Sequence, residues 1–174
     1  MQLRNLLLST AAAAAIGYAA TPKEYTLKLD EATVAYAFPH EEVTGSISGL
    51  DAKITFDPTD LSASSISGTV DVSTIDTGIN GRNKHLQAGT YFDADNHPKL
   101  SFKSSSIDKT NAGYVMKGDL TMKGKTLPVT WNFTFDNGTF VGNTSIFTSD
   151  FGVFGKKQEK SQVNITVTAP VKSS

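Results

Sequence analysis

From residue 25 onward, apolar and polar residues alternate with a period of two. That period puts successive side chains on opposite faces of a β-strand. Tyr25-Thr26-Leu27-Lys28-Leu29 alternates cleanly, and Thr33 to Phe38 reads as a second short strand or as the same one after a bulge. Val43 to Ser48 and Ala52 to Phe56 flank Gly49, which marks a bend. Further strands are predicted over Ser65 to Val72, Leu100 to Ser104, Tyr114 to Met122, Leu127 to Phe135, Phe140 to Phe147 and Gln162 to Thr168. In the strand over 127–135, Leu127, Val129, Trp131, Phe133 and Phe135 share one face, opposite Thr130, Asn132 and Thr134.

Turn residues punctuate these runs. Asp57-Pro58-Thr59-Asp60, Lys109 to Gly113, Lys123-Gly124-Lys125 and Asp136-Asn137-Gly138 each separate two strands. Asn-Gly accepts the two positive φ angles of a type I′ hairpin turn. The pattern therefore predicts about eight antiparallel strands in a meander, apolar on one face and rich in Thr, Ser and Lys on the other. A flat sheet of that kind leaves two edges unpaired, and closure into an eight-stranded barrel removes them.

Residues 80–97 break the alternation. The core of that stretch, Arg82-Asn83-Lys84-His85-Leu86-Gln87-Ala88, fits two helical turns and predicts a short helical lid or plug between two strands. On such a helix Arg82 and His85 stand three apart on one face.

The N-terminus is of another kind. A short basic start with Arg4, an apolar run from Leu6 to Ile16 and a small-residue exit through Gly17 and Ala19 have the order of a secretory leader. Residues 1–20 are expected to be a signal peptide cleaved near Ala19 or Ala20, leaving one domain over 21–174 in the periplasm or outside the cell. The apolar run is about 15 residues, short of the roughly 20 a spanning helix needs. The chain has no cysteine, so no disulfide, thiolate metal site or lipid-modified cysteine is available. Without Arg4 the chain carries 15 basic and 17 acidic residues, a net charge of −2. There is no basic stripe for phosphates, which argues against a nucleic-acid partner.

Local chemistry is sparse. His40, His85 and His97 match no metal-ligand spacing, and Ile47 stands where a Gly-x-Ser-x-Gly elbow would need serine. Nothing local pairs a nucleophile with a base, so no catalytic, metal or cofactor site is expected. The remaining signal is aromatic. Phe38, Phe56, Phe102, Tyr114, Trp131 and Phe133 fall on the apolar faces, as do Phe140 and Phe147. They either fill the barrel solid or line a cavity.

The stretch from Ile75-Asp76-Thr77-Gly78 through Arg82-Asn83-Lys84-His85-Leu86 resembles the Ile-Asp-Thr-Gly…Arg-Asp-x-His-Leu signature of the YceI-like proteins. Tyr91-Phe92-Asp93 followed by Pro98 and Phe102, Gly118 to Gly124, and Asp150-Phe151-Gly152 resemble further motifs of that family, and the likeness spans the chain beyond the leader. Asn83 stands where the family usually has an acid. The resemblance implies an exported, lipocalin-like barrel that binds a polyisoprenoid, with Phe92 joining the aromatic residues in ligand binding and Arg82 and His85 meeting its polar end.

The expected function is an exported carrier or store for a long isoprenoid lipid, with transient membrane contact. Oligomeric state is left open, a homodimer included. The alternatives are an enzyme or redox partner acting on an isoprenoid quinone, and a solid barrel that binds a protein partner. Each buried CH₂ contributes roughly 0.8 kcal/mol gross, so a prenyl tail has ample driving force, and selectivity falls to pocket length and a few polar groups.

Overall fold

The computed structural model describes residues 22–153, 155 and 157–173, and the expected leader lies outside them. Ten strands and one α-helix make up the described regular structure, apart from short 3₁₀ turns. They are β1 (Lys23–Leu27), β2 (Thr33–Phe38), β3 (Val43–Ile47), β4 (Asp51–Phe56), β5 (Ser65–Asp71), α1 (Asn80–Gln87), β6 (Lys99–Thr110), β7 (Gly113–Met122), β8 (Lys125–Asp136), β9 (Thr139–Phe147) and β10 (Gln162–Ser173).

Ten strands make eight staves because two staves are broken. One edge of β10 pairs with β9 from Gln162 to Pro170. The other edge carries β2 along Asn164 to Thr168, then β1 along Val171 to Ser173. β1 and β2 are thus two lengths of a single stave. Their partners are broken to match, with β4 on β1 and β3 on β2. The ring then runs through β5 to β10 and closes on β1, antiparallel throughout. The predicted eight-stranded antiparallel barrel is the observed fold.

Local chemistry explains the breaks and turns. Gly49, between β3 and β4, has φ of 72°, which only glycine adopts freely. Pro170 sits where the β10 edge changes partner. It has no N–H to give, and its carbonyl accepts from Lys28 N at 2.8 Å. Asn137-Gly138 and Lys123-Gly124 are both type I′ turns, with φ of 47° and 73° and of 50° and 73°.

Two strands run further than the alternation indicates. β6 continues past Ser104 to Thr110 because a bulge between Ser104 and Ser106 shifts the register. The extra residue flips the parity, so Leu100 and Phe102 face in before the bulge and Ile107 after it. β10 continues through Pro170 to Ser173.

The interior falls into two apolar clusters that succeed each other along the staves. One holds Phe38, Leu86, Phe92, Leu120 and Met122 beneath the segment between β5 and β6. The other holds Ile54, Phe56, Met116, Trp131, Phe133 and Phe140. Along β8 the side chains pass from Leu127 in the first cluster to Trp131 and Phe133 in the second.

Candidate functional site: an apolar cavity between a lid and an aromatic floor

The floor is built around Phe56, whose side chain is fully buried. Its ring meets those of Tyr114, Phe133, Phe135 and Phe140 edge-on at centroid distances of 5.1–5.8 Å. Tyr114 stacks on Phe133 at 5.1 Å, and Phe135 on Phe140 at 4.2 Å. Edge-on aromatic contacts of this kind add to ordinary burial, and here they leave the floor solid.

Above the floor the barrel is hollow. A cavity of about 180 Å³ runs up to Leu86 and Phe92 at the lid end. Of the residues expected at a binding site, Phe38, Phe92, Phe102, Trp131 and Phe133 line it. Phe56 and Tyr114 lie in the floor instead. Arg82 and His85 do not line the cavity, and His85 is exposed on α1. Phe147 is corrected: Phe140, Gly142, Thr144 and Ile146 form the inward series of β9, and Phe147 has the opposite parity.

The cavity walls are shaped by glycines. Three of the large rings lie on a glycine: Tyr36 over Gly45, Phe102 over Gly118 and Trp131 over Gly142. A Cβ at 118 would stand 2.6 Å from Phe102 Cζ, and one at 142 would stand 3.4 Å from Trp131 Cε3. Alternation marks these glycines as inward but says nothing of the ring each one carries, and Tyr36 was not among the expected site residues.

The lid is tied down by a polar network. Asp76 bridges to Ser46 of β3 through paired backbone hydrogen bonds of 2.9 Å, which anchors the chain before α1. The Asp76 carboxylate accepts from Gly78 N at 2.8 Å and from Asn83 Nδ2 at 3.0 Å. Asn83 Oδ1 accepts in turn from Thr77 N at 2.9 Å and Thr77 Oγ1 at 2.7 Å. A carboxylate at position 83 would accept from Thr77 but offer Asp76 no donor. The Gly78 N–H and the Asn83 amide hold the Asp76 carboxyl below its usual range.

Arg82 Nη2 donates to the Thr77 carbonyl at 3.0 Å, while its buried Nε meets no acceptor. Tyr36 reaches from the cavity wall toward this network and donates to the Asp76 carbonyl at 3.3 Å. Burial pushes the Tyr36 hydroxyl up to about 12, against the opposing pull of Arg82. Leu86 is the one buried residue of α1, and Phe92 N donates to the Leu86 carbonyl at 3.0 Å. Among the described residues the cavity lining carries no charged side chain.

The sequence profile of the YceI-like domain matches residues 25–172. A UPF0312 protein of Vibrio cholerae is 27% identical over 169 residues, covering 88% of this chain and 89% of that protein. Among solved structures, Burkholderia cenocepacia BcnA superposes with a TM-score of 0.72 at 25% identity, over 84% of this chain and 99% of that one. A Saccharophagus degradans domain described as polyisoprenoid-binding and implicated in plant cell wall breakdown superposes with a TM-score of 0.60 at 10% identity, over 86% and 98%.

Proposed function

The chain belongs to the YceI-like family, and on that premise we propose that it binds an isoprenoid lipid inside the barrel, as an exported carrier or store. The observation that carries the reading is the cavity itself, hollow and, among the described residues, lined by no charged side chain, above an aromatic floor packed around Phe56. Ordinary core packing fills such a barrel with side chains. The printed description of the Saccharophagus domain, which shares the fold, supports the same ligand class.

The cavity's size says how the ligand sits. At about 180 Å³ it is close to the roughly 150 Å³ apolar void that stays dry and admits benzene. It takes the first units of a prenyl chain. A longer tail is accommodated by moving the lid, where Leu86 and Phe92 are the apolar stops. The reading is of a binding protein. Among the described residues no nucleophile–base pair lines the cavity, and burial pushes the hydroxyl of its tyrosine, Tyr36, further from ionisation, up to about 12.

Native mass spectrometry of the protein purified from its own host tests the proposal. The expected result is a copurified isoprenoid released only on unfolding. Ligand-free protein that also ignores every isoprenoid offered would overturn it. Export rests on the leader-like segment Met1–Ala20. The mature protein is expected to begin at Ala20 or Thr21, and recovery of intact Met1 in the cytosol would refute export.

A further inference from the structure

We propose that the indole N–H of Trp131 is an internal docking donor, so that the bound isoprenoid enters with a neutral oxygen leading and its hydrocarbon tail trailing toward the lid. The inference rests on the lipid-binding reading and adds a ligand chemistry and an orientation to it.

The argument starts from the accounting of polar groups inside the barrel. Ser67, Thr69 and Ser101 touch the lining but alternate with the inward-facing Gly68, Val70, Leu100 and Phe102, so their side chains have the outward parity. Two further hydroxyls on the lining are already satisfied. Tyr36 Oη donates to the Asp76 carbonyl at 3.3 Å, and Thr148 Oγ1 donates to the Ser161 carbonyl at 3.1 Å. Trp131 differs. It lines the same cavity and is 7% exposed, and its buried Nε1 meets no acceptor. Among the described residues only Arg82 Nε shares that condition, and Arg82 lies in the lid network outside the cavity lining. Buried donors are nearly always paired, and leaving one unpaired costs about 1–3 kcal/mol.

Position says what completes it. Trp131 stands mid-barrel, four residues along β8 from Leu127 of the lid-side cluster and next to the aromatic floor. The Cε3–Cζ3 edge of the indole lies toward Gly142 on β9, and Nε1 is on the ring's other edge. Phe102 meets the ring edge-on at 6.0 Å and offers no acceptor. Nε1 is closed in by its neighbours, so a ligand oxygen at this depth meets it as the indole turns toward the cavity. An ionised phosphate or carboxylate would be stranded there, because among the described residues the lining holds no cation to offset its lost hydration. A carbonyl, ether or hydroxyl oxygen needs a single donor and suits the site. The remaining isoprene units then fill the cavity toward Leu86.

The test compares two probes of equal length, a prenyl ketone such as geranylacetone and the hydrocarbon with a methylene in place of the carbonyl. Calorimetry on the full mature chain is expected to show both binding, with the ketone favoured by about tenfold, the value of one recovered hydrogen bond. Trp131→Phe keeps a ring and removes the N–H. It is expected to bind the two probes within about twofold of each other, so that the ketone preference is lost whatever the smaller ring does to both affinities. In the wild-type protein the single tryptophan gives one indole ¹H–¹⁵N resonance, which should move downfield with the ketone and not with the hydrocarbon. Equal affinity for the two probes, or a preference that survives Trp131→Phe, overturns the docking role while leaving lipid binding intact. Failure of both probes to bind the wild-type protein overturns the lipid reading itself.

Discussion

The ring of Phe102 lies across Gly118 so closely that a β-carbon there would stand 2.6 Å from Cζ, with the Lys103 carbonyl on its other side. Backbone cannot yield as a side chain does. Gly118→Ala is therefore expected to drive Phe102 into the cavity and to cost about 1–3 kcal/mol, as overpacking does. Gly142→Ala meets Trp131 at an ordinary 3.4 Å and should cost less than about 1 kcal/mol. Chemical denaturation of the two variants checks the order, and an equal loss would show that the ring over Gly118 is free to move.

Phe56 tests the aromatic floor of the barrel. It is fully buried at the hub of four other rings, so Phe56→Ala is expected to cost about 3–5 kcal/mol. Affinity for a short prenyl probe should change little, because Phe56 does not line the cavity. A large change in affinity at unchanged stability would mean that the ligand penetrates the floor.

The lid network predicts a response to acid. Hydrogen bonds from Gly78 N and Asn83 hold the Asp76 carboxyl below its ordinary range, and Thr59 and Ser73 do the same for Asp57 and Asp71. An unfolded aspartate titrates near about 3.9. A carboxyl depressed in the folded state contributes fully above that value and loses its contribution as pH falls through the folded one. The melting temperature should hold from pH 6 to about 4 and drop below. Asp76→Asn should melt lower at pH 6 and fall less steeply in acid. Parallel curves for the two proteins would contradict the depressed carboxyl.

Asn83→Asp addresses the same network from its other side. The substitution removes the donor that reaches Asp76 at 3.0 Å and sets a second carboxylate beside it. The variant is expected to melt below the wild type at pH 7. The gap should close toward pH 4, where one carboxyl takes up a proton and donates to the other. Thermal melts at the two pH values decide it, and a gap that is constant with pH would point to packing.

Periodicity carried most of the fold. Alternation along β8 identifies both its inward face and Trp131 on it, because a strand's side chains can point only two ways. The bulge at Ser104–Ser106 was not legible, since a run of three serines has no parity to break. The alternation indicates β10 only to Thr168, and the edge change from β2 to β1 shows why the strand runs on through Pro170. At the site, the inward aromatic residues of β8 were identifiable one by one, whereas Phe147 of β9 was assigned to the wrong face. The division of the inward rings into floor and cavity wall was not identifiable, because that division depends on depth along the barrel axis. Tyr36 gave no separate signal, its role resting on Gly45 and Asp76 from elsewhere in the chain.

The seam of the barrel sets the order of its assembly. Adjacent staves are mostly joined by short turns, so each pairing closes a small loop, and Met122 meets Lys125 across two residues. The seam between the first stave and β10 instead joins the two ends of the described chain, through three residue pairs on β1 and five on β2. Its entropic cost falls due in a single late event with little local reward. Until that event the chain presents the free edges of an unfinished sheet, and the interval before closure is when it is most exposed to pairing with its neighbours.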